Sequence, residues 1–391
     1  MPDRVYLDWN ATTPLRPEAR AAMAAAWDFC GNPSSVHAEG RQARRLVEEA
    51  RAGVAGAIGA LPRNVVFTSG GTEANALALM PGLRRGSGLP VERLLVSAIE
   101  HASVLAGGRF SGDAIGTIGV TGAGLLDLGR LRAELEGGPP ALVSVMLANN
   151  ETGAVQPVPQ VADIVHAAGG LLHIDAIQAL GKISFDINML NADLVTVSGH
   201  KIGGPKGVGA VALAEGVRGL EPLLRGGGQE LGHRAGTENV AGIAGFGAAA
   251  KAAMGALQSD AIRLESLRNR LEKGLQETRG VQEVIVFSGD VPRLPNTTLF
   301  TVPGLKAETA VIGFDLEGIA VSSGSACSSG KVQPSHVLES MGFGPEIAQG
   351  AVRLSLGWST SPADIDRCLE AWRKLAGTLL KGSDETLLER F

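Results

Sequence analysis

Short runs rich in Val, Ile and Leu recur through the first half of the chain, and a turn or helical segment separates each from the next. VVFT (65–68) precedes TEANALALM, RLLVSA (93–98) precedes EHASVLAG, and ALVSVMLA (141–148) precedes NNETG and QVADIVHAAG. LLHID (171–175), DLVTVS (193–198) and GVGAVAL (207–213) follow. Few folds accept that alternation. Strands interleaved with helices predict a mainly parallel sheet covered on both faces, an α/β architecture. Ligands of such sheets bind beyond the carboxyl ends of the strands. Those ends carry Ser69-Gly70-Gly71-Thr72, then Glu100 and His101, then Asn149, Asn150 and Glu151, then Asp175 and Gln178, and finally Ser198, His200 and Lys201. Polar and ionisable groups delivered to one rim build a pocket.

The flanking segments complete an outline. An alanine-rich helix is predicted near 17–29, and Leu46, Ala50, Val54 and Ile58 recur every four residues in an amphipathic helix over 39–59. From about 258 the pattern changes to a charged helix (260–279), strands at 284–287, 297–302 and 352–357, a helix at 306–317 and a last helix over 361–381. We therefore divide the chain into a large domain (16–257) and a smaller α+β domain (1–15 with 258–391). A net charge of −5 with no basic block argues against nucleic acid as a partner. The start MPDRVYLDWN lacks the apolar core of a signal peptide, and the alanine-rich stretch 19–27 is too short to span a bilayer. No membrane association and a cytoplasmic location are expected. Cys30, Cys327 and Cys368 form no CxxC, so neither a disulfide framework nor a metal site is expected.

SGGTEA (69–74) stands at a strand-to-helix turn, where two glycines and the free N–H groups of a helix start can seat a phosphate. It has neither the Walker lysine nor GxGxxG spacing, so a nucleotide-binding motif is not indicated. Thr72 is equally suited to capping the helix. Asp175 ends an apolar strand, and a carboxylate there needs a cation, or else caps the next helix. Facing a protonated ring nitrogen at an effective dielectric near 20 it would gain about 4 kcal/mol. Lys201 falls between two apolar runs, where an ammonium is expensive unless paired or chemically changed. It either snorkels to the surface or forms a Schiff base with pyridoxal 5′-phosphate (PLP), for which an aspartate at the ring nitrogen is the usual companion.

With these residues in view, the sequence resembles the class V aminotransferase family of fold-type I PLP enzymes, and within it the cysteine desulfurases. The likeness runs from YLDWNATTP (6–14) and GNPSSVHAEG (31–40) through TSGGTEANALA, EHASV, ANNETGAVQP, HIDAIQ, SGHKIGGPKGVG, RAGTENV and SSGSACSSG to VRLSLGWST (352–360). It implies a seven-stranded, mainly parallel sheet sandwiched by helices, with Lys201 as the Schiff-base lysine. It further implies Asp175 at the pyridine nitrogen, Gln178 at the ring hydroxyl, and His101 stacked on the ring with a part in proton transfer. Gly71, Thr72, Ser198 and His200 would hold the phosphate, and Thr237 would reach the phosphate of the neighbouring subunit in a homodimer. Asn150 would meet both the cofactor and the substrate, and Arg353 the substrate, through a bidentate fork to its α-carboxylate.

Cys327 points to the reaction. Cys30 and Cys368 are expected to be small buried hydrophobes, whereas Cys327 sits in SSGSACSSGK with little apolar material to pack. An exposed thiol is a chemical liability, and the resemblance makes it the nucleophile that takes sulfur from L-cysteine as a persulfide, leaving alanine. The long Cys-bearing segment is similar to the subgroup that serves iron–sulfur or nitrogenase pathways, so a sulfur-acceptor protein is an expected partner, with an iron–sulfur scaffold, a tRNA-modifying enzyme and a nitrogenase pathway as the alternatives. Two residues depart from the family pattern: Leu231 where arginine is frequent, and Trp9 where smaller or polar residues are common. Both are expected to affect the entrance or the dimer surface. A selenocysteine lyase fits the same motifs, while a plain aminotransferase needs no such thiol. A non-catalytic sulfur carrier would lack cofactor residues that are all present here.

Overall fold

The computed structural model describes residues 4–281, 283–324 and 334–380. Its centre is a seven-stranded sheet. From one edge to the other the strands are Val65–Thr68, Gly209–Leu213, Leu194–Ser198, Leu171–Asp175, Ala141–Met146, Arg93–Ser97 and Ile115–Ile118. Only Gly209–Leu213 runs antiparallel to its neighbours, so the sheet is mainly parallel as expected. The central strands are buried on both faces, which is why they read as continuous apolar runs. The edge strand Ile115–Ile118 (IGTI) has no such run and gives no comparable signal in the sequence.

Helices cover both faces. Ala38–Ile58 packs Val47, Val54 and Ile58 into one core. Gly71–Ala78 sends Leu77 and Ala78 into another on the opposite side. The smaller sheet orders Ile285–Val286, Thr297–Thr301, Val352–Ser355 and Ser322–Ser323, all antiparallel. It shares a core with Val5, Leu7, Phe300, Phe314 and Trp372.

The helix expected over 260–279 begins twenty residues earlier. It is one 37-residue helix, Val240–Gln276, whose first half enters the large core through Ile243, Phe246, Ala249 and Ala253. Its second half supplies Leu264, Leu267, Leu271 and Leu275 to the smaller core. Glycines in the first half read as helix breakers, yet packing demands them. A Cβ on Gly247 would lie 2.5 Å from the Ala50 Cα, so only glycine lets the two helices approach this closely. By length and composition this is also the one helix among the described residues able to cross a membrane, and half of its apolar window is buried in the protein.

Cys368 is buried as expected, and burial pushes its thiol up to about 12. Cys30 is exposed, which corrects the expectation of a buried hydrophobe: it lies beyond the end of helix Pro17–Trp27, where no element covers it. Trp9 is likewise not an entrance residue. It is 2 % exposed and packs edge-on to Trp358 at 4.6 Å. A Cβ on Gly357 would stand 2.0 Å from its ring, so Gly357 makes the room the indole needs. Leu231, by contrast, is 74 % exposed and adopts a positive φ of 56°.

Candidate active site

A cavity of about 260 Å³ opens at the carboxyl ends of the central strands, against the smaller domain. Gly71 and Thr72 line it from the first helix turn after the edge strand, and His101 from the turn after Arg93–Ser97. Asn150, Asp175, Gln178, Ser198, His200 and Lys201 complete the sheet side, and Arg353 closes it from the smaller sheet. Two expected residues are not in this group. Thr237 lines a neighbouring depression with Ser69 and Gly207, which also border the mouth of the cavity beside Thr72 and His200. Cys327 lies outside the described residues.

The glycine-rich end of the cavity is built from close backbone approach. A Cβ on Gly209 would sit 2.6 Å from the Gly70 carbonyl carbon, so glycine there lets the antiparallel strand run beneath the turn. Gly70 is the N-cap residue and Thr72 lies within the first turn, so Thr72 is not the helix cap. The Ser198 hydroxyl is buried with no hydrogen-bond partner, an orphaned group of the kind a phosphate oxygen satisfies. Burial, then the charges of Lys201, Lys206 and Lys182, lower His200 to about 4, which keeps its imidazole neutral.

Asp175 is 5 % exposed. Burial raises its carboxyl above the usual range, opposed by the Ile177 N–H at 3.0 Å and the Asn75 amide at 2.9 Å. A carboxylate so desolvated gains most from a cation placed beside it. The Lys201 ammonium donates to the carbonyls of Asn10 at 2.6 Å and Ala11 at 2.8 Å. Gln178 donates to the same Asn10 carbonyl at 2.9 Å and accepts from Lys182 at 2.5 Å. The Asp175 carboxylate, the Ser198 hydroxyl and the glycine-lined turn thus match the ring nitrogen and phosphate of PLP.

On the side of the smaller sheet, the Arg353 Nη2 donates to Asp8 at 2.8 Å and Nη1 to the Asn150 carbonyl at 3.1 Å, while the buried Nε has no partner. The fork expected to be open is therefore partly held by Asp8. Next to it, Glu151 is buried and accepts from the Ser335 hydroxyl at 2.5 Å. Burial raises its carboxyl to about 7, against that hydrogen bond and the Arg353 charge. Ser335 and Gly324, whose Cβ position would lie 3.2 Å from Glu151 Oε2, flank the segment containing Cys327.

Sequence reasoning missed the groups that hold this site from behind. Asn10 is 1 % exposed and ties Lys201, Lys182, Gln178, Asn296, Thr297 and Ser355 together. Lys182 is buried, and burial followed by the Lys201 and Arg353 charges holds its amine well below the usual lysine range. The one available signal for Asn10 was its place in a polar stretch, WNATTP, ahead of any helix.

The Aminotransferase class-V family model matches residues 5–368. A cysteine desulfurase of Cereibacter sphaeroides is 45% identical over 375 residues, covering 94% of each chain. One of Gluconacetobacter diazotrophicus is 42% identical over 373 residues, covering 94% of this chain and 92% of the relative. Among solved structures, a NifS-like protein from Rickettsia africae superposes with a TM-score of 0.85 at 36% identity, covering 96% of this chain and 100% of that one.

Proposed function

The chain belongs to the class-V aminotransferase family and is a PLP-dependent cysteine desulfurase; from that premise we propose which of its residues carry the reaction. Lys201 is the lysine that binds PLP covalently, Asp175 the anion at the ring nitrogen, and Gln178 the partner of the ring hydroxyl. Gly71, Thr72, Ser198 and His200 hold the phosphate, and His101 lies over the ring. The observation that carries this reading is the meeting of a desolvated Asp175, an orphaned Ser198 hydroxyl and Lys201 in one cavity.

When bound, PLP supplies an electron sink for bonds at the substrate α-carbon. Arg353 orients L-cysteine by its carboxylate, with Nε the nitrogen not already engaged, and Asn150 borders the substrate. Lys201 would move the α-proton. The buried walls exclude water, which strengthens each charge interaction inside. The Cys327 thiolate then takes the substrate sulfur: an S–S bond forms on Cys327 as the substrate C–S bond breaks, the electron pair of that bond stays on the substrate β-carbon, which takes up a proton, and alanine leaves. The persulfide passes to an acceptor such as an iron–sulfur scaffold in the cytoplasm. Thr237 serves the neighbouring subunit of a homodimer, which suits its position beside the mouth of the cavity.

Peptide mapping after incubation with L-cysteine tests this. The peptide containing Cys327 should gain the mass of one sulfur atom. Cys327→Ser should keep the bound cofactor's colour and lose that gain together with alanine release. A persulfide on Cys30 instead, or alanine release by Cys327→Ser at the parent rate, would rule out the assignment.

A further inference from the structure

Behind the cavity the buried polar groups form one connected path. Asn75, in helix Gly71–Ala78, is 0 % exposed. Its amide nitrogen lies 2.9 Å from Asp175 Oδ2 and 2.9 Å from the Ser103 hydroxyl. Its oxygen accepts from the Thr196 hydroxyl at 2.6 Å. Thr196 Oγ1 is 3.1 Å from Nε2 of His173, whose Nδ1 is 2.8 Å from the Ser144 hydroxyl. Ser144, His173 and Thr196 belong to three adjacent central strands and have no exposed surface. On the other side, both the hydroxyl and the backbone N–H of Ser103 meet Nδ1 of His101, at 2.8 Å and 3.1 Å.

The proton positions along this path follow from donor counting. An ionised Asp175 only accepts, so the Asn75 amide must turn its nitrogen toward it and its oxygen toward Thr196. The single Thr196 proton is then spent on Asn75, and Thr196 must accept from His173. That places the His173 proton on Nε2 and makes its Nδ1 an acceptor for Ser144. Burial lowers His173 to about 3, in keeping with a ring that stays neutral. The second Asn75 N–H occupies the Ser103 oxygen, so the Ser103 proton goes to His101. With two donors at His101 Nδ1, the His101 proton sits on Nε2.

We propose that Asn75 is a positioning residue that sets the hydrogen-bonding state of Asp175 and, through Ser103, the tautomer of His101. This rests on the reading of Asp175 and His101 as the cofactor's neighbours. One amide then controls a group at the ring nitrogen and a group over the ring face. His101 thus carries an N–H rather than a lone pair on Nε2. The donor chain ending on Asp175 favours its charged form, as hydrogen bonds to an anion do. His101, Lys201 and the buried Glu100 also face Asp175, and substitutions at Asn75 or Thr196 leave all three in place.

Two measurements on the holoenzyme test the proposal. Long-range proton–nitrogen NMR on histidine-labelled protein should find His101 and His173 both protonated on Nε2. Asn75→Ala and Thr196→Val should each raise the titration midpoint of the bound cofactor's visible band, Asn75→Ala by about one pH unit, a tenfold change. The weakened carboxylate anion would hold the ring proton more tightly itself and withdraw less charge through the ring. Thr196→Val decides alone where Asn75→Ala does not fold. A proton on Nδ1 of either histidine, or a titration superimposable on the parent, overturns the proposal. Absence of any visible band in the parent would instead remove the cofactor reading beneath it, while the tautomer result would still stand.

Discussion

The Lys201 ammonium is hydrogen-bonded to the Asn10 carbonyl at 2.6 Å, and Lys182 reaches the Asn10 side-chain oxygen at 2.8 Å. Both lysines therefore meet a residue that is itself tied to the smaller sheet through Ser355 and Thr297. Replacing Asn10 by Ala keeps the backbone carbonyl but removes one buried hydrogen bond each from Lys182, Asn296 and Thr297, which keep Gln178, Leu356 and Asn296 as their other partners. A buried hydrogen bond contributes about 0.5–1.5 kcal/mol net. We expect a loss of about 3 kcal/mol in urea unfolding, with the visible band of the cofactor retained.

Trp9 fills the junction just before Asn10. Truncating a buried aromatic of this size costs about 3–5 kcal/mol. Trp9→Ala should lower the unfolding midpoint accordingly and weaken cofactor retention, because the carbonyls of Asn10 and Ala11 follow it directly in the chain. An unchanged midpoint would show that the Trp9–Trp358 contact does not hold the junction.

Glu151 gives the pH prediction. Its carboxyl is raised to about 7 in the fold from a usual value of 4.5. The folded state therefore binds a proton that the unfolded state has lost across that window, and stability falls as pH rises from 4.5 to 7. The full effect is on the order of 3 kcal/mol. Glu151→Gln, which keeps an acceptor for Ser335, should flatten this slope. Equal pH dependence in the parent and the variant would contradict the assignment.

Much of this architecture was legible in the sequence, because the central strands are buried on both faces and carry their signal locally. The rim residues were legible for the same reason: each follows such a run directly. The edge strand Ile115–Ile118 and the first half of helix Val240–Gln276 were not, since one is half exposed and the other is rich in packing-demanded glycine. Asn10, Asn75 and Lys182 were also missed. Their partners are distant in sequence, as in the pairs Asn10–Thr297 and Asn75–Asp175, and no periodicity reports such contacts.

Arg353 should show in the kinetics. A lysine at this position cannot reproduce the planar fork that spans Asp8 and Asn150 and is proposed to meet the substrate. Arg353→Lys should raise KM for L-cysteine roughly tenfold, about 1.4 kcal/mol of lost binding, with a smaller change in kcat. A lowered kcat at unchanged KM would move Arg353 from substrate binding to the chemical step.

The most direct test is borohydride reduction of the holoenzyme followed by peptide mapping, which fixes the cofactor on the lysine that holds it. A single modified peptide is expected, the one containing Lys201, and no visible band in Lys201→Ala. Label on the peptides of Lys182 or Lys206, or a visible band that survives Lys201→Ala, would contradict the assignment of Lys201.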